Sequence, residues 1–361
     1  MATRTEPVAA ARAVPIGSLG LVRRRGLIAA GIGIGALFAA LVAGVALGEV
    51  AVAPADTLAI ITHRIVGWPA TVTWSQAAET IVFDLRVPRV LTAMAVGASL
   101  ALAGAAFQGL LRNPLADPYV LGAASGAALG AAIGILIPVR GLILGFGLLH
   151  GLAFVGALGA VLVVWRLSRA GQLGSLTGLL LTGYAVSSLL AAGLAVTMYL
   201  SGANLRQIFS FLLGGFAGSS WLQLAGALPL MLIGTAILLS RARALNGLLL
   251  GEETAAHLGL NVRRERAILL AAASLVTAAA VAIAGLIGFV GLVVPHIVRL
   301  VVGPNARLVL PLSALFGASF LAFADLLARA LGELPVGVVT ALVGAPFFLY
   351  LLRRSRGGYE L

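Results

Sequence analysis

The sequence predicts an all-α polytopic membrane protein with ten transmembrane helices, and three observations carry that expectation. The 361 residues are 61% hydrophobic and 10% charged, with a mean hydropathy of +1.09, which no ordinary soluble chain approaches. The apolar residues fall into runs of about 20, enough to cross a hydrocarbon core of about 30 Å as helix. The basic residues stand in short clusters between these runs. They therefore read as topology signals, and the net charge of +12 does not point to nucleic acid. All 24 basic residues are arginine, and a chain without lysine cannot carry a P-loop nucleotide site. The absence of cysteine excludes disulfides and thiolate metal sites.

Residues 1–26 read as a cytoplasmic tail ending in Arg23, Arg24 and Arg25, and 27–47 as the first span. That run is too long for a signal peptide, and no small-residue cleavage site follows it. Residues 49–85 should lie outside, with Trp68 and Trp74 in short interfacial helices. The second span runs inward from Pro88, which suits a first helical turn, to Arg112. Ala93, Gly97, Ala101, Ala105 and Gly109 give it one face of small side chains, the pattern of close helix packing in a membrane. The third span is 119–138, with Arg140 in an outer turn; the fourth is 142–165 and the fifth 173–200. Residues 201–220 are too broken to span and read as a partial outer helix, before a sixth span at 221–240. An inner loop covers 244–266, and the seventh span 267–287. A half-helix around Pro295 follows, then spans at 308–329 and 335–352 and a tail from 353 to 361. The whole of 27–352 forms one transmembrane domain with both termini inside. Of the 24 arginines, six fall outside (Arg64, Arg86, Arg89, Arg140, Arg206, Arg329), leaving 18 inside, which supports this orientation.

Three features stand out against that background. Glu252, Glu253, Thr254, Ala255, Ala256, His257 and Leu258 can form a short inner helix. Its two acids suit the positive end of the helix dipole, and Gly259 suits its C-terminal end. With Leu248, Leu249, Leu250 and Leu258 at the surface, it either docks into a partner's groove or lies on lipid as a linker. Arg86, Arg89 and Arg329 break the inside bias at the outer mouth. They meet an acidic partner or pair locally, Arg86 with Asp84 and Arg329 with Asp325. Finally, NPLADP (Asn113, Pro114), LLGGFAGSS (Gly214, Gly215) and GFVGLVVPH (Pro295, His296) are breaks at membrane depth. Such backbone is tolerated beside a cavity or inside protein, and three of them suggest a transport pathway rather than packing kinks. His296 reads as a structural hydrogen-bonding residue or a ligand, but no pair of histidines has metal-ligand spacing. No hydrolase triad or HExxH motif appears. An ion-coupled secondary transporter would need an acid buried mid-membrane, and the candidates Asp117 and Asp325 lie near helix ends.

The stretch RVPR…GASLALAGAAFQGLLRNPLADPYVLGAASGA resembles the permease subunits of ABC importers for ferric siderophores, haem and cobalamin. GEETAAHLGLNV, GLIGFVGLVVPHIVRLVVG, GASFLAFADLLAR and ELPVGVVTALVGAPFFLYLLRR resemble the same family, in the same order, so the likeness spans about 84–354. It implies a type II importer permease fold of ten helices in a bacterial inner membrane. The working unit would be a homodimer with two ATPase subunits, which hold ATP and magnesium, and one periplasmic binding protein. The permease itself would bind no cofactor and catalyse nothing. Arg86, Arg89 and Arg329 match arginines that meet acidic residues of the binding protein, and residues 252–258 match the helix that enters the ATPase cleft. The glycine-rich fifth span, with Gly183 and Ser187, resembles the pathway lining. Relatives often have more residues than the Ala-Leu-Gly found here between Arg329 and Glu333. The cargo implied is an iron chelate, haem or a ferric siderophore, with cobalamin as the alternative.

Overall fold

The computed structural model describes residues 16–48, 50–137, 142–143, 146–170 and 176–354. The chain enters through α1 (Ile16–Ala46) and continues in α2 (Pro54–Val66) and α3 (Gln76–Glu79). A π-helical turn, Thr80–Arg86, leads without a break into α4 (Val87–Leu110). Pro88 causes that widening, because its ring would clash with the carbonyl four residues back in a regular α-helix. A 3₁₀ turn, Pro118–Leu121, opens α5 (Ala123–Leu136). Next come a two-stranded antiparallel hairpin, β1 (Leu142–Ile143) and β2 (Phe146–Gly147), then α6 (Leu148–Ala170) and α7 (Leu176–Tyr199). The remainder is α8 (Leu205–Leu213), α9 (Trp221–Ser240), α10 (Ala242–Leu249), α11 (Glu252–His257), α12 (Val262–Ala284), α13 (Val290–Val302), α14 (Ala306–Ala330) and α15 (Val336–Arg354).

Among the described residues, seven helical stretches are long and apolar enough to cross a membrane. They are Arg23–Ala46, Gln76–Leu110, Leu148–Ser168, Gly178–Tyr199, Trp221–Ser240, Val262–Ala284 and Ala306–Ala330. The other three expected segments fall on shorter apolar helices: Ala123–Leu136, Val290–Val302 and Val336–Tyr350.

Several boundaries differ from expectation. Helix α1 begins at Ile16, inside the stretch read as tail. The fourth span starts at Leu148, because the hairpin occupies part of 142–147. Helix α12 starts at Val262 rather than 267, because Asn261 Oδ1 accepts a hydrogen bond from Arg264 N–H (3.0 Å) and caps it. The inner loop holds a further helix, α10, that periodicity did not reveal. Arg140 and the terminal residues 1–15 and 355–361 lie outside the described residues.

The small-residue face of α4 behaves as its spacing predicts. Ala93, Gly97, Ala101, Ala105 and Gly109 are all buried. At Gly97 an added methyl would stand 2.2 Å from the carbonyl oxygen of Gly317 on α14, and at Gly104 it would stand 1.8 Å from that of Gly291 on α13. Helix α4 is thus the buried axis on which α13 and α14 are laid, backbone against backbone. A second pair repeats the device: Gly126 of α5 and Gly156 of α6 each sit where a methyl would be 2.2 Å from the other's carbonyl. In hydrocarbon the hydrophobic effect does not drive helices together, so this close van der Waals contact is what holds the bundle.

Gly104→Ala should therefore destabilise the purified protein by at least about 1–3 kcal/mol, the usual cost of overpacking. Thermal unfolding in detergent reads this directly. Gly31→Ala, at a position with open space around it, should leave the melting temperature unchanged.

Candidate functional site: joined breaks and two docking faces

Two of the breaks expected along the pathway, NPLADP and GG, are both bonded to the chain where α12 ends and α13 has not begun. After Ala284 the chain turns irregular until Val290, leaving backbone groups without helical partners. Tyr119, in the turn after NPLADP, serves two of them: its hydroxyl donates to Ile287 O (3.0 Å) and accepts from Ile287 N–H (3.2 Å). The GG break serves others. Gly215 N–H donates to Ala284 O (2.8 Å), and Leu286 N–H donates to Phe211 O (3.4 Å). Gly214 sits at φ +65°, where a side chain would meet Leu286 O at 2.5 Å, so only glycine fits. Its carbonyl accepts from Gly337 N–H at the start of α15 (3.4 Å). Gly214 and Gly215 are thus a structural knot, and they also line a polar cavity of about 310 Å³ with Arg89, His150, Gln207, Ser219, Gln223 and Glu333.

At the start of NPLADP, Asn113 turns the chain: its Oδ1 accepts from Leu115 N–H (2.9 Å), and Pro114 is buried behind it. Asp117 Oδ1 accepts from Tyr119 N–H (2.8 Å).

Gln108 was missed by sequence reasoning. Pro295, buried in α13, has no N–H for the Gly291 carbonyl one turn earlier. Gln108 Nε2 of α4 donates to Gly291 O (3.2 Å) and to Leu292 O (3.1 Å), while its Oε1 accepts from Arg299 Nη1 (3.0 Å). The signal was present: a polar amide in the small-residue run of α4 and a proline inside an apolar half-helix each need what the other has. His296 lies beside this bridge in sequence, its Nδ1 buried with no partner among the described residues.

Gly183 and Ser187 face inward. A methyl on Gly183 would lie 2.6 Å from Val120 O, and Ser187 Oγ packs on Gly122. The open face of α7 instead carries Tyr184 (76% exposed), Ser188 and Leu189. Of the seven spans α7 is the least buried. Small residues mark the packed face of this helix, and Tyr184 and Leu189 its open one.

At the outer end, Arg86 and Arg329 are 6% and 8% exposed and turned inward. Arg86 donates to the carbonyls of Val45 (3.2 Å), Ala46 (3.3 Å) and Val50, and not to Asp84 as the local-pairing alternative had it. Arg329 donates to Gly44 O (2.9 Å) and Leu47 O (3.2 Å), and makes the expected i,i+4 pair with Asp325 (3.3 Å). Both guanidiniums cap the carbonyl end of α1, where the helix dipole favours a cation. Arg89 lies between two acids. Its Nε and Nη2 bind the buried Asp325, and its Nη1 and Nη2 bind the half-exposed Glu333 (2.8–3.0 Å). Neither Arg86 nor Arg329 offers its charge to the outside in this structure; Arg89 and Glu333 border the polar cavity.

At the inner end, α11 spans Glu252–His257 as expected, and Gly259 takes the left-handed conformation (φ +82°) just beyond it. Ala255 is its buried anchor; Glu253, Thr254, Ala256, His257 and Leu258 are exposed, as is Leu250. Leu248 is buried, contrary to expectation, because it belongs to the packed face of α10. Glu252 pairs with Arg266 of α12, and Leu260 lies over Gly247. Among the described residues no group of three His, Cys, Asp or Glu could hold a metal ion.

Residues 32–354 match the model of the FecCD transport family. The chain is similar to a cobalamin import system permease protein of Halobacterium salinarum, 45% identical over 86% of this chain and 88% of that one. It is 43% identical to a hemin transport system permease protein of Yersinia pestis, over 76% and 83%. It is 38% identical to an Fe(3+)-citrate import system permease protein of Bacillus subtilis, over 78% and 84%. A solved metal-chelate type ABC transporter in an inward-facing conformation superposes with a TM-score of 0.76 at 32% identity, over 91% of this chain and 99% of that one. An apolar helical bundle with bonded breaks at membrane depth and a helix presented beyond it is what a transport subunit requires, and the chain belongs to the FecCD transport family of ABC importer permeases.

Proposed function

We propose that two copies of this chain pass a metal chelate from an external binding protein to the cytoplasm, driven by two separate ATPase subunits. The observation that carries this reading is the helix 252–257, held at one buried residue and otherwise exposed on a chain without a nucleotide-binding lysine. An isolated six-residue helix is not stable alone, so a helix displayed in this way suits insertion into a partner's cleft. The exposed face of α7, with Tyr184, supports the second copy: a phenol hydroxyl on a membrane span suits a protein or water-lined neighbour better than lipid. Arginine distribution supports cytoplasmic termini in a bacterial inner membrane.

The cargo we propose is an iron chelate, haem or a ferric siderophore; the hemin and Fe(3+)-citrate permeases among the relatives favour it. Cobalamin is the second reading, favoured by the 45% and 43% identical cobalamin permeases of Halobacterium salinarum and Vibrio cholerae. At the outer face we assign the direct contact with the binding protein to Arg89, while Arg86 and Arg329 fix the end of α1 beneath it.

Three outcomes are expected. Replacing residues 252–258 by a Gly-Ser linker of equal length should abolish ATP-driven uptake and ATPase co-purification while the bundle still melts cooperatively; undiminished uptake would refute the coupling role. Arg89→Gln should weaken capture of the binding protein by roughly tenfold at low ionic strength, with the gap narrowing as salt rises. Equal capture at low salt would remove Arg89 from that surface. The cognate binding protein, purified from cells, should retain an iron chelate visible in its absorption spectrum; a retained corrinoid would select the second reading.

A further inference from the structure

An apolar groove of about 420 Å³ runs between α1, α13 and α14, on a face apart from the polar cavity. Each wall is one stripe of one helix. Helix α1 contributes Arg25, Ile28, Ala29 and Ile32, at the i, i+3, i+4, i+7 spacing of a single face. Helix α13 contributes residues between Val294 and Val302, and α14 contributes Leu312, Phe316 and Phe320. The stripes on α13 and α14 each extend over nine residues, eight steps of 1.5 Å or about 12 Å. That is most of the roughly 15 Å of hydrocarbon in one leaflet.

Every lining residue is apolar except Arg25, which stands at one end. Arg23, Arg24 and Arg25 are all exposed, and among the described residues no carboxylate pairs with Arg25. An apolar slot of one-leaflet length with an unneutralised cation at its mouth has the charge and hydrophobic complement of a phospholipid. The geometry points to a binding site for an anionic phospholipid, one acyl chain in the groove between α1, α13 and α14 and its phosphate on Arg25. A zwitterionic lipid would fill the slot equally well, but its own ammonium offsets its phosphate, so it brings no net charge to balance Arg25. A basic residue beside a membrane surface is worth about 1 kcal/mol toward an anionic lipid, or about fivefold in affinity. The site would wedge α13 against α1, and α13 is the helix that carries Pro295 and the Gln108 bridge.

The test uses the permease purified with its ATPase subunits after exchange in vesicles of equal phosphatidylglycerol and phosphatidylcholine, with retained lipid counted by mass spectrometry. Phosphatidylglycerol should be enriched about fivefold. Arg25→Gln should return the ratio to that of the vesicles, Arg25→Lys should keep most of the enrichment, and Arg23→Gln with Arg24→Gln should keep it. Ala29→Phe or Val298→Phe, which fill the groove, should lower retained phosphatidylglycerol with Arg25 intact. Equal retention of the two lipids, or enrichment unaffected by Arg25→Gln, would overturn the site. So would enrichment unaffected by both groove-filling variants, or displacement of the lipid by millimolar inorganic phosphate, which would indicate a free-anion site. Lipid retention depends on neither transport nor sidedness, so failure here leaves the proposed function standing.

Discussion

A backbone N–H or C=O within the hydrocarbon region has no water to bind, and every departure from helix must be answered by another part of the protein. This requirement organises the bundle. The chain breaks its helices after α4, after α8 and after α12, and the breaks answer one another: Tyr119 with Ile287, Gly215 with Ala284, Phe211 with Leu286. The fourth irregularity, Pro295, is answered by the Gln108 side chain, itself held by Arg299. No break can be moved alone, since each supplies the acceptors or donors of the next.

The same economy of partners explains the outer arginines. A helix ending at membrane depth leaves its last carbonyls unsatisfied. Helix α1 ends at Ala46, and Arg86 and Arg329 reach it from two other helices. A buried guanidinium needs a counter-charge, which Asp325 provides to Arg329 and Arg89 together. Removing Asp325 would leave the buried Arg329 without a carboxylate and Arg89 with Glu333 alone. The cluster ties α1, α4 and α14 at the end where α4 and α14 already touch through Gly97 and Gly317.

Much of this was legible in the sequence because membrane helices advertise themselves. The fourfold spacing of small residues in α4 located its packed face, and Trp221–Ser240 was bounded by its flanking Ser and Arg. The presented helix was readable from two acids, a short apolar segment and a glycine. What failed was anything decided by partners distant in sequence. The arginines were placed correctly at one mouth, but the carbonyls that turn Arg86 inward lie 36 to 41 residues away. The breaks were found individually, yet nothing local says that 119 meets 287. Gly183 and Ser187 came from the likeness of the fifth span to a pathway lining; in the structure they pack on Val120 and Gly122, and the open face carries Tyr184.

The arrangement also fixes how a displacement at the inner face would travel. Helix α11 is joined to α12 by the pair of Glu252 with Arg266, and to α10 by Leu260 over Gly247. Helix α12 is 23 residues long, about 34 Å of unbroken helix. Its far end is where Ala284, Leu286 and Ile287 bind α8, the GG turn and Tyr119. A rigid helix cannot absorb a shift imposed at one end, so any displacement of α11 would load the joined breaks. Those breaks are held by a handful of hydrogen bonds, two of them at 3.4 Å, and are the softest points along that line. The knot of α8, α12 and α15 therefore stands at the far end of one unbroken helix from α11, and the polar cavity bordered by Arg89 and Glu333 lies beside it.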